Sequence, residues 1–332
     1  MDLSRFARLP LAHLPTPLEP MPRLSAHLGG PNLWIKRDDC SGLSTGGNKT
    51  RKLEFLIADA LEQGADCVIT TGATQSNHVR QTCAAAARVG LPCYAVLEDR
   101  SPFHDEHYAH NGNWLLDRLH GAHLSLHPVD SDLDAAMASL AEQLRAEGKK
   151  PAIIPLGGSS DVGALGYVNA VFELLDQARQ QSLDIDHLLH ATGSAGTQAG
   201  LVAGLLAADR NIPVHGICVS AAKDLQAQKV SGLVRPTLER IGIDANRLTA
   251  DHVRTNSDYV GDGYGLPTDG MIEAVRLAAE FEGLLLDPVY TGKAFAGLID
   301  LIRRGQFKAG ENVVFLHTGG SAALFAYPTI FG

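Results

Sequence analysis

Nowhere does this chain hold an apolar run near the roughly 18 residues of a membrane span. Its first stretch, MDLSRFARLPLAHLPTPLEP, is broken by prolines 10, 15, 17 and 20 where a secretory signal needs an apolar core. A cytoplasmic protein without a membrane partner is the expectation. Cysteine is scarce: five residues, an odd count with no C-x-x-C pair, which excludes a disulfide framework and a structural zinc site. Cys40, Cys67, Cys83, Cys93 and Cys218 read as buried, reduced thiols. Positive charge is also short. With 28 Lys and Arg against 37 Asp and Glu the net charge is −9, so nucleic acid gains no general electrostatic attraction. The run HDEHYAH (104–110) spaces its histidines at i, i+3 and i+6, whereas a zincin needs H-E-x-x-H on one helical face. It reads as a polar loop or helix entrance, and no metal is expected.

What is present is an alternation of short apolar segments with amphipathic ones along 332 residues, long enough for one large or two linked α/β domains. Strands are predicted over 33–36, 66–71, 93–97, 123–127, 152–155, 187–191, 214–219 and 313–317, with a further strand-like run at 284–286. Helices are predicted over 52–63, 76–89, 113–119, 133–147, 166–181, 197–209, 271–282 and 293–304. Strands separated by helices imply parallel sheets covered on both faces. No repeat, low-complexity tract or clean linker stands out. Glycine-rich segments follow the strands, where open α/β sheets bind ligands.

Five of those segments carry chemistry. In LSTGGNKTRKLEF (43–55), Lys49 stands behind two glycines at a helix entrance. An amine there is a nucleophile toward carbonyls if burial or nearby cations, Arg51 and Lys52 being the candidates, expose its neutral form. The competing reading is an exposed lysine, which the helix dipole mildly disfavours. In TTGATQSNHVRQ (70–81), Ser76 and Asn77 open a helix and offer donors to a carboxylate, although Ser76 is equally a plain N-cap and His78 equally a structural histidine. HATGSAGTQAG (190–200) is a strand-to-helix turn that suits a compact monophosphate. It lacks the Walker ending, and its glycines at 193, 196 and 200 miss the G-x-G-x-x-G dinucleotide spacing, which argues against a dehydrogenase. GYG (263–265) and DPVYTGKAFAG (287–297) place Tyr264 and Tyr290 near glycine turns, as hydrogen-bonding phenols or as plain structural residues. FLHTGGSAALF (315–325) ends a strand among the hydroxyls of Thr318 and Ser321.

Singly these motifs are modest. Collinear, with PTPLEPMPRLS before them, they resemble the fold type II pyridoxal-phosphate enzymes, in the group of D-cysteine desulfhydrase, 1-aminocyclopropane-1-carboxylate (ACC) deaminase and L-cysteate sulfo-lyase, over nearly the whole chain. The resemblance implies a tryptophan synthase β-like fold: two open, twisted, mostly parallel sheets with flanking helices. It implies a large cofactor-binding domain at 1–48 and 165–332, a small inserted domain at 49–164, and a homodimer. Pyridoxal 5′-phosphate is the implied cofactor. Lys49 matches the lysine that holds it as a Schiff base and moves the α-proton. Asn77 matches the residue bonding its phenolate oxygen, Gly193, Ser194, Ala195, Gly196 and Thr197 its phosphate loop, and Thr318 the hydroxyl near the pyridine nitrogen. A neutral partner there limits the electron sink and favours elimination over transamination. Ser76, Asn77 and His78 match the substrate-carboxylate loop, and Tyr264 and Tyr290 the active-site tyrosines.

The implied reaction is β-elimination from an amino acid to pyruvate and ammonium. Deaminases of the group usually carry Glu just after the second tyrosine; here it is Thr291, which speaks against ACC. The DDCSGLSTGGNK and HTGGSAALF wording is most similar to the sulfo-lyases, so L-cysteate, releasing sulfite, is the expected substrate, with D-cysteine, releasing sulfide, as the alternative. Ser44, Thr45, Thr291 and Ser321 would supply donors to a sulfonate. A non-catalytic ligand-binding α/β protein would keep the phosphate turn but would not need Lys49 and Ser76-Asn77 together.

Overall fold

The computed structural model describes residues 3–100 and 106–331. In chain order the first elements are β1 (Leu18–Pro20), α1 (Pro22–Leu28), β2 (Asn32–Arg37), α2 (Asn48–Glu62), β3 (Cys67–Ala73), α3 (Asn77–Arg88) and β4 (Cys93–Glu98). Next come α4 (Glu106–His110), α5 (Gly112–Leu119), β5 (His123–His127), α6 (Leu133–Ala146), β6 (Pro151–Ile154) and α7 (Asp161–Gln180). The chain continues through β7 (His187–Thr192), α8 (Gly196–Ala207), β8 (Val214–Cys218), α9 (Lys223–Ile241) and β9 (Arg254–Asn256). It closes with α10 (Asp269–Glu282), α11 (Thr291–Arg303) and β10 (Asn312–His317).

Two sheets organise these elements. Six strands run in the order β1-β2-β10-β7-β8-β9 and four in the order β5-β4-β3-β6. Every pairing is parallel except β1 with β2. The smaller sheet is built entirely from residues between 67 and 154, while the larger draws on both ends of the chain. Its central strand β3 (CVITTGA) is buried at every position, the mark of a parallel strand covered on both faces. Parallel register sends the carboxyl ends of β3, β7 and β10 to loops that meet at one place: TQS, GSAG and TGG.

Two features hold that place rigid. Asn77 to Ala86 of α3 are all buried, so this helix has no wet face, and its polar residues must pair inside the protein. Beneath α2, Arg51 bonds Asp38 through Nε and Nη2 (2.8 Å each) and Glu173 through Nη1 (3.0 Å) and Nη2 (2.8 Å). Tyr167 donates to Asp38 (2.6 Å) and Lys36 pairs with Glu173, so β2, α2 and α7 are locked together. Burial opposes these charges, yet Asp38 and Glu173 hold Arg51 well above its ordinary pKa, and Arg51 holds both carboxyls below theirs.

The sequence reading departs from this fold in several places, and β1, α1 and β9 were not among its elements. The run 284–286 is no strand: Leu284 and Leu286 are buried and Leu285 exposed, an alternation without a neighbouring edge to pair with. The 19-residue α9 was not anticipated; Gly232 and Pro236 inside it are helix breakers by local propensity. Of the five thiols, Cys40 is exposed and the other four are buried.

Candidate active site

The loops at the strand ends enclose a cleft. Its wall includes Lys49, Asn77, Gly193, Ser194, Ala195, Thr197, Tyr290 and Thr318, together with Asn48, Thr192 and Gly319. Lys49 reaches it because the backbone before it is drawn tight. Gly47 (φ 131°) and Gly319 (φ 89°) approach so closely that a Cβ on Gly319 would lie 2.7 Å from the Gly47 Cα. Only glycine fits there. The Asn48 N–H then donates to the Thr318 carbonyl (3.0 Å), which joins the lysine loop to the end of β10.

The Lys49 amine donates to Asn48 Oδ1 (2.8 Å), and Asn48 Nδ2 donates to Thr197 Oγ1 (2.9 Å) in the glycine-rich turn. The amine lies 5.8 Å from the Tyr290 ring centre. Burial first, and the Arg80 guanidinium second, lower Lys49 to a pKa of about 8, against the pull of Asp287. The cations expected to do this were Arg51 and Lys52. Arg51 is instead spent on Asp38 and Glu173, and the cation that acts is Arg80. It stands in the quoted SNHVRQ motif three residues after Asn77, a spacing that puts both on one helix face.

At the turn, Ala195 adopts left-handed φ (74°) and precedes α8 without a side-chain cap. Of the amides there, Gly196 N–H is taken by Ser159 Oγ (3.1 Å), whose hydroxyl also donates to Ser194 (2.9 Å). An uncapped 12-residue helix whose amino end faces a cleft is an anion site. Lys52 lies beneath it: its buried amine donates to Gly157 O (3.0 Å), and a Cβ on Gly196 would come within 3.0 Å of it. Burial, then Lys49, push Lys52 well below its ordinary pKa, so a bound anion would restore its charge. Lys52 had been considered only as a cation beside Lys49, and Ser159, Arg80 and Asp287 had not been assigned to the site. The last two were visible only as members of quoted motifs.

The two tyrosines meet at 2.6 Å between hydroxyls, so one phenol donates to the other. Lys293 brings Tyr264 there by donating to Val260 O (2.5 Å) and Gly263 O (2.8 Å). Burial raises Tyr290 to about 12 and Tyr264 well above its ordinary value, so both are phenols at neutral pH. Asp287 fixes the turn that carries Tyr290, accepting from the N–H groups of Val289, Tyr290 and Thr291.

Several candidates are not on the cleft wall. Thr291 Oγ1 donates to Asp287 Oδ1 (2.7 Å) and accepts from the Asp287 N–H (2.8 Å), so it is consumed by its own turn and has no donor for a sulfonate. His78 is buried, bonded through Nε2 to Thr70 of β3 (2.9 Å) and held neutral by burial; it braces the sheet and receives no carboxylate. Ser76 Oγ caps α3 by accepting from Val79 N (3.2 Å), the plain N-cap. Its proton remains available. Thr45 is exposed, Ser44 Oγ is buried without a partner, both have left-handed φ, and Ser321 is half-buried at the start of a short 3-10 turn. His104 lies outside the described residues; among those described, no three His, Cys, Asp or Glu gather as metal ligands. No helix among them is long and apolar enough to cross a membrane.

A lysine amine, an uncapped helix end over a second lysine, and a carboxamide on the facing wall are what a phosphorylated aldehyde needs. The pyridoxal-phosphate dependent enzyme family matches residues 9–319, and the chain belongs to it. Its cofactor is pyridoxal 5′-phosphate. Among curated relatives, D-cysteine desulfhydrases of Salmonella schwarzengrund (strain CVM19633) and Salmonella typhi are each 47% identical over 325 residues, covering 98% of this chain and 97% of theirs. A crystal structure of an ACC deaminase homologue superposes with a TM-score of 0.89 at 38% identity, covering 99% of this chain and 96% of that one. O-ureido-L-serine synthase, at 17% identity and a TM-score of 0.68, shares the fold.

Proposed function

We propose that the protein is a carbon–sulfur lyase that converts D-cysteine and water to pyruvate, hydrogen sulfide and ammonia. The observation that carries this reading is the Lys49 amine, lowered to about 8 and set in a cleft facing an anion-binding turn. The substrate follows the full-length relatives at 47% identity. Pyridoxal 5′-phosphate, when bound, supplies a carbonyl for the substrate amine and an electron sink for the α-carbon.

The amides of the Gly193 to Thr197 turn, that of Gly196 excepted because Ser159 Oγ occupies it, and the Lys52 amine would hold the phosphate. Asn77 presents its amide group to the ring, since its Oδ1 already accepts from Arg80 (3.1 Å) and Asn113 (3.0 Å). Thr318 offers a neutral hydroxyl. Lys49, neutral near pH 8, takes the α-proton at Nζ. The Tyr264–Tyr290 pair gives a proton to the departing sulfur, and because the phenols share one hydrogen bond they act as a unit. Ser76 Oγ donates to the substrate carboxylate while its lone pair caps α3. In this reading 49–164 is the small domain, the large one spans 1–48 and 165–332, and the molecule is a cytoplasmic homodimer.

L-Cysteate is the second reading, kept because Ser44 Oγ is a buried hydroxyl without a partner. The other three hydroxyls argued for it are weaker than the sequence suggested: Thr291 is consumed and Thr45 is exposed, which leaves Ser321 half-buried. The deciding experiment offers D-cysteine and L-cysteate separately to the pyridoxal-phosphate-loaded protein, assaying pyruvate, sulfide and sulfite. Pyruvate with sulfide from D-cysteine is expected. Pyruvate with sulfite from L-cysteate alone overturns the substrate, and no pyruvate from either overturns the lyase.

A further inference from the structure

The buried cation that lowers Lys49 makes contacts that its charge alone does not explain. Arg80 is fully buried on α3, and among the described residues no carboxylate pairs with it. Its Nη1 donates to Asn77 Oδ1 (3.1 Å) and Asn113 Oδ1 (2.7 Å), its Nη2 to Gly46 O (2.6 Å), and its Nε has no partner. A charge buried against neutral oxygens is costly, so stability alone does not account for its presence. The contacts themselves do. Gly46 lies in the loop that delivers Lys49, and Asn77 is on the cleft wall. Asn113, also fully buried, steadies Asn77 from the other side: its Nδ2 donates to Asn77 Oδ1 (3.0 Å) and to Gln75 O (2.9 Å).

We propose that Arg80 is a positioning residue for the reacting amine. Its guanidinium ties the Asn77 carboxamide and the Gly46 carbonyl into one unit and keeps a fixed positive charge within electrostatic reach of Lys49. The inference rests on Lys49 as the reacting lysine, but not on which amino acid is cleaved. Other groups face that amine from every side. Lys52 comes from α2, His78 from α3, Asp287 from the turn before α11, and the Tyr290 ring from the end of that turn. Of the charged ones Asp287 alone attracts a proton, so removing Arg80 shifts the amine toward its protonated form although burial still opposes the charge.

Arginine does two things here that substitution can separate. Arg80→Met removes charge and fork together, whereas Arg80→Lys keeps a charge but lacks the planar geometry that reaches Asn77 and Gly46 at once. The test uses the cofactor-free full chain. Lysines are acetylated with acetic anhydride in short pulses from pH 6 to 11, and modification of Lys49 is followed by mass spectrometry. Pyridoxal-phosphate affinity is measured in parallel by absorbance. In Arg80→Met the Lys49 midpoint rises by about one pH unit, which makes Lys49 about fivefold less reactive at pH 8 and about tenfold less at pH 6. In Arg80→Lys the midpoint stays near the wild type while cofactor affinity falls about tenfold, one lost charge-assisted bond. A folded Arg80→Met with an unchanged midpoint overturns the proposal.

If Arg80→Met does not fold, Asn113→Ala takes its place, since it leaves the cation and removes the shared support of Arg80 and Asn77. Weaker cofactor binding with the midpoint kept supports the proposal; unchanged binding in both Asn113→Ala and Arg80→Lys defeats it. Failure of the wild type to bind pyridoxal phosphate would defeat the proposed function instead, and the Lys49 midpoints would still decide the role of Arg80.

Discussion

Arg51 and Arg80 are both fully buried, both on helices that open at the cleft, and opposite in their surroundings. Arg51 has all three nitrogens on acceptors, with two carboxylates, Asp38 and Glu173, among them. Arg80 has neutral partners and one idle nitrogen. Their pKa values part accordingly: Arg51 is held well above its ordinary value, while burial lowers Arg80 to about 10. A saturated charge is invisible beyond its partners, and so serves as scaffold. An unsaturated one projects its field onto whatever lies near, here the amine of Lys49. Buried charge therefore carries two functions in this protein, and the hydrogen-bond inventory tells them apart.

The largest effect belongs to the residue that receives that field. Lys49→Ala should lower pyruvate formation by at least about a thousandfold, the scale expected on losing the base and the attachment point together. Near-normal turnover would remove Lys49 from the chemistry and with it any meaning for Arg80. Next is Arg51→Met, which takes the shared cation from Asp38 and Glu173, leaving Asp38 only neutral donors and Glu173 only Lys36 as a cation, and should cost about 3–5 kcal/mol. Differential scanning calorimetry should show a large fall in the melting temperature, with the Lys49 labelling midpoint unmoved. A shifted midpoint would erase the division between scaffold and tuned charge.

Acid sharpens the same contrast. Asp38 and Glu173 have folded pKa values below their unfolded ones, so the stability they contribute is full above about pH 4. It is lost as pH falls through the lower folded values. Asp38→Asn should lose stability at pH 7 and show a flatter decline below pH 4 than the wild type, measured by urea unfolding at each pH. A decline as steep as the wild type's would mean that other carboxyls drive acid unfolding. Thr291→Val should be milder, about 1 kcal/mol for one hydroxyl in the Asp287 turn. It should lower activity toward D-cysteine and L-cysteate alike; a loss confined to L-cysteate would restore Thr291 as a sulfonate ligand.

How far these regions were legible beforehand follows from the kind of signal each gives. Periodicity and glycine punctuation located most strands and helices, because alternation of apolar segments is a local property. It missed α9, where Gly232 and Pro236 lie inside a helix secured by the packing of Val230, Val234 and Leu238. The motifs located the cleft, since Lys49, Asn77, Thr197, Tyr290 and Thr318 line it. They did not reveal where hydroxyls point. His78 and Thr291 stand in the motifs for local reasons, as a sheet brace and a turn lock. Nor could sequence show which cation serves Lys49. Arg51 is two residues away and turned from it, whereas Arg80 is 31 residues away and beneath it.

The smallest effect should come from Asp117, the carboxyl whose charge would otherwise oppose that of Arg80. It is fully buried on α5, neither oxygen has a hydrogen-bond partner, and burial raises its pKa well above the ordinary carboxylate range despite Arg80. A carboxyl in that state is a neutral acid through much of the acid range, so its amide counterpart changes little. Asp117→Asn should leave the Lys49 midpoint where it is and match the wild type in stability near pH 4. As pH rises through the raised folded pKa the wild type must ionise Asp117 at a cost that the variant does not meet, so the variant should become the more stable of the two. Urea unfolding at pH 4 and pH 8 measures the crossing. If Asp117→Asn is instead destabilised at pH 8 as strongly as Asp38→Asn, Asp117 is an ionised counter-ion, Arg80 is paired after all, and the two buried arginines are alike.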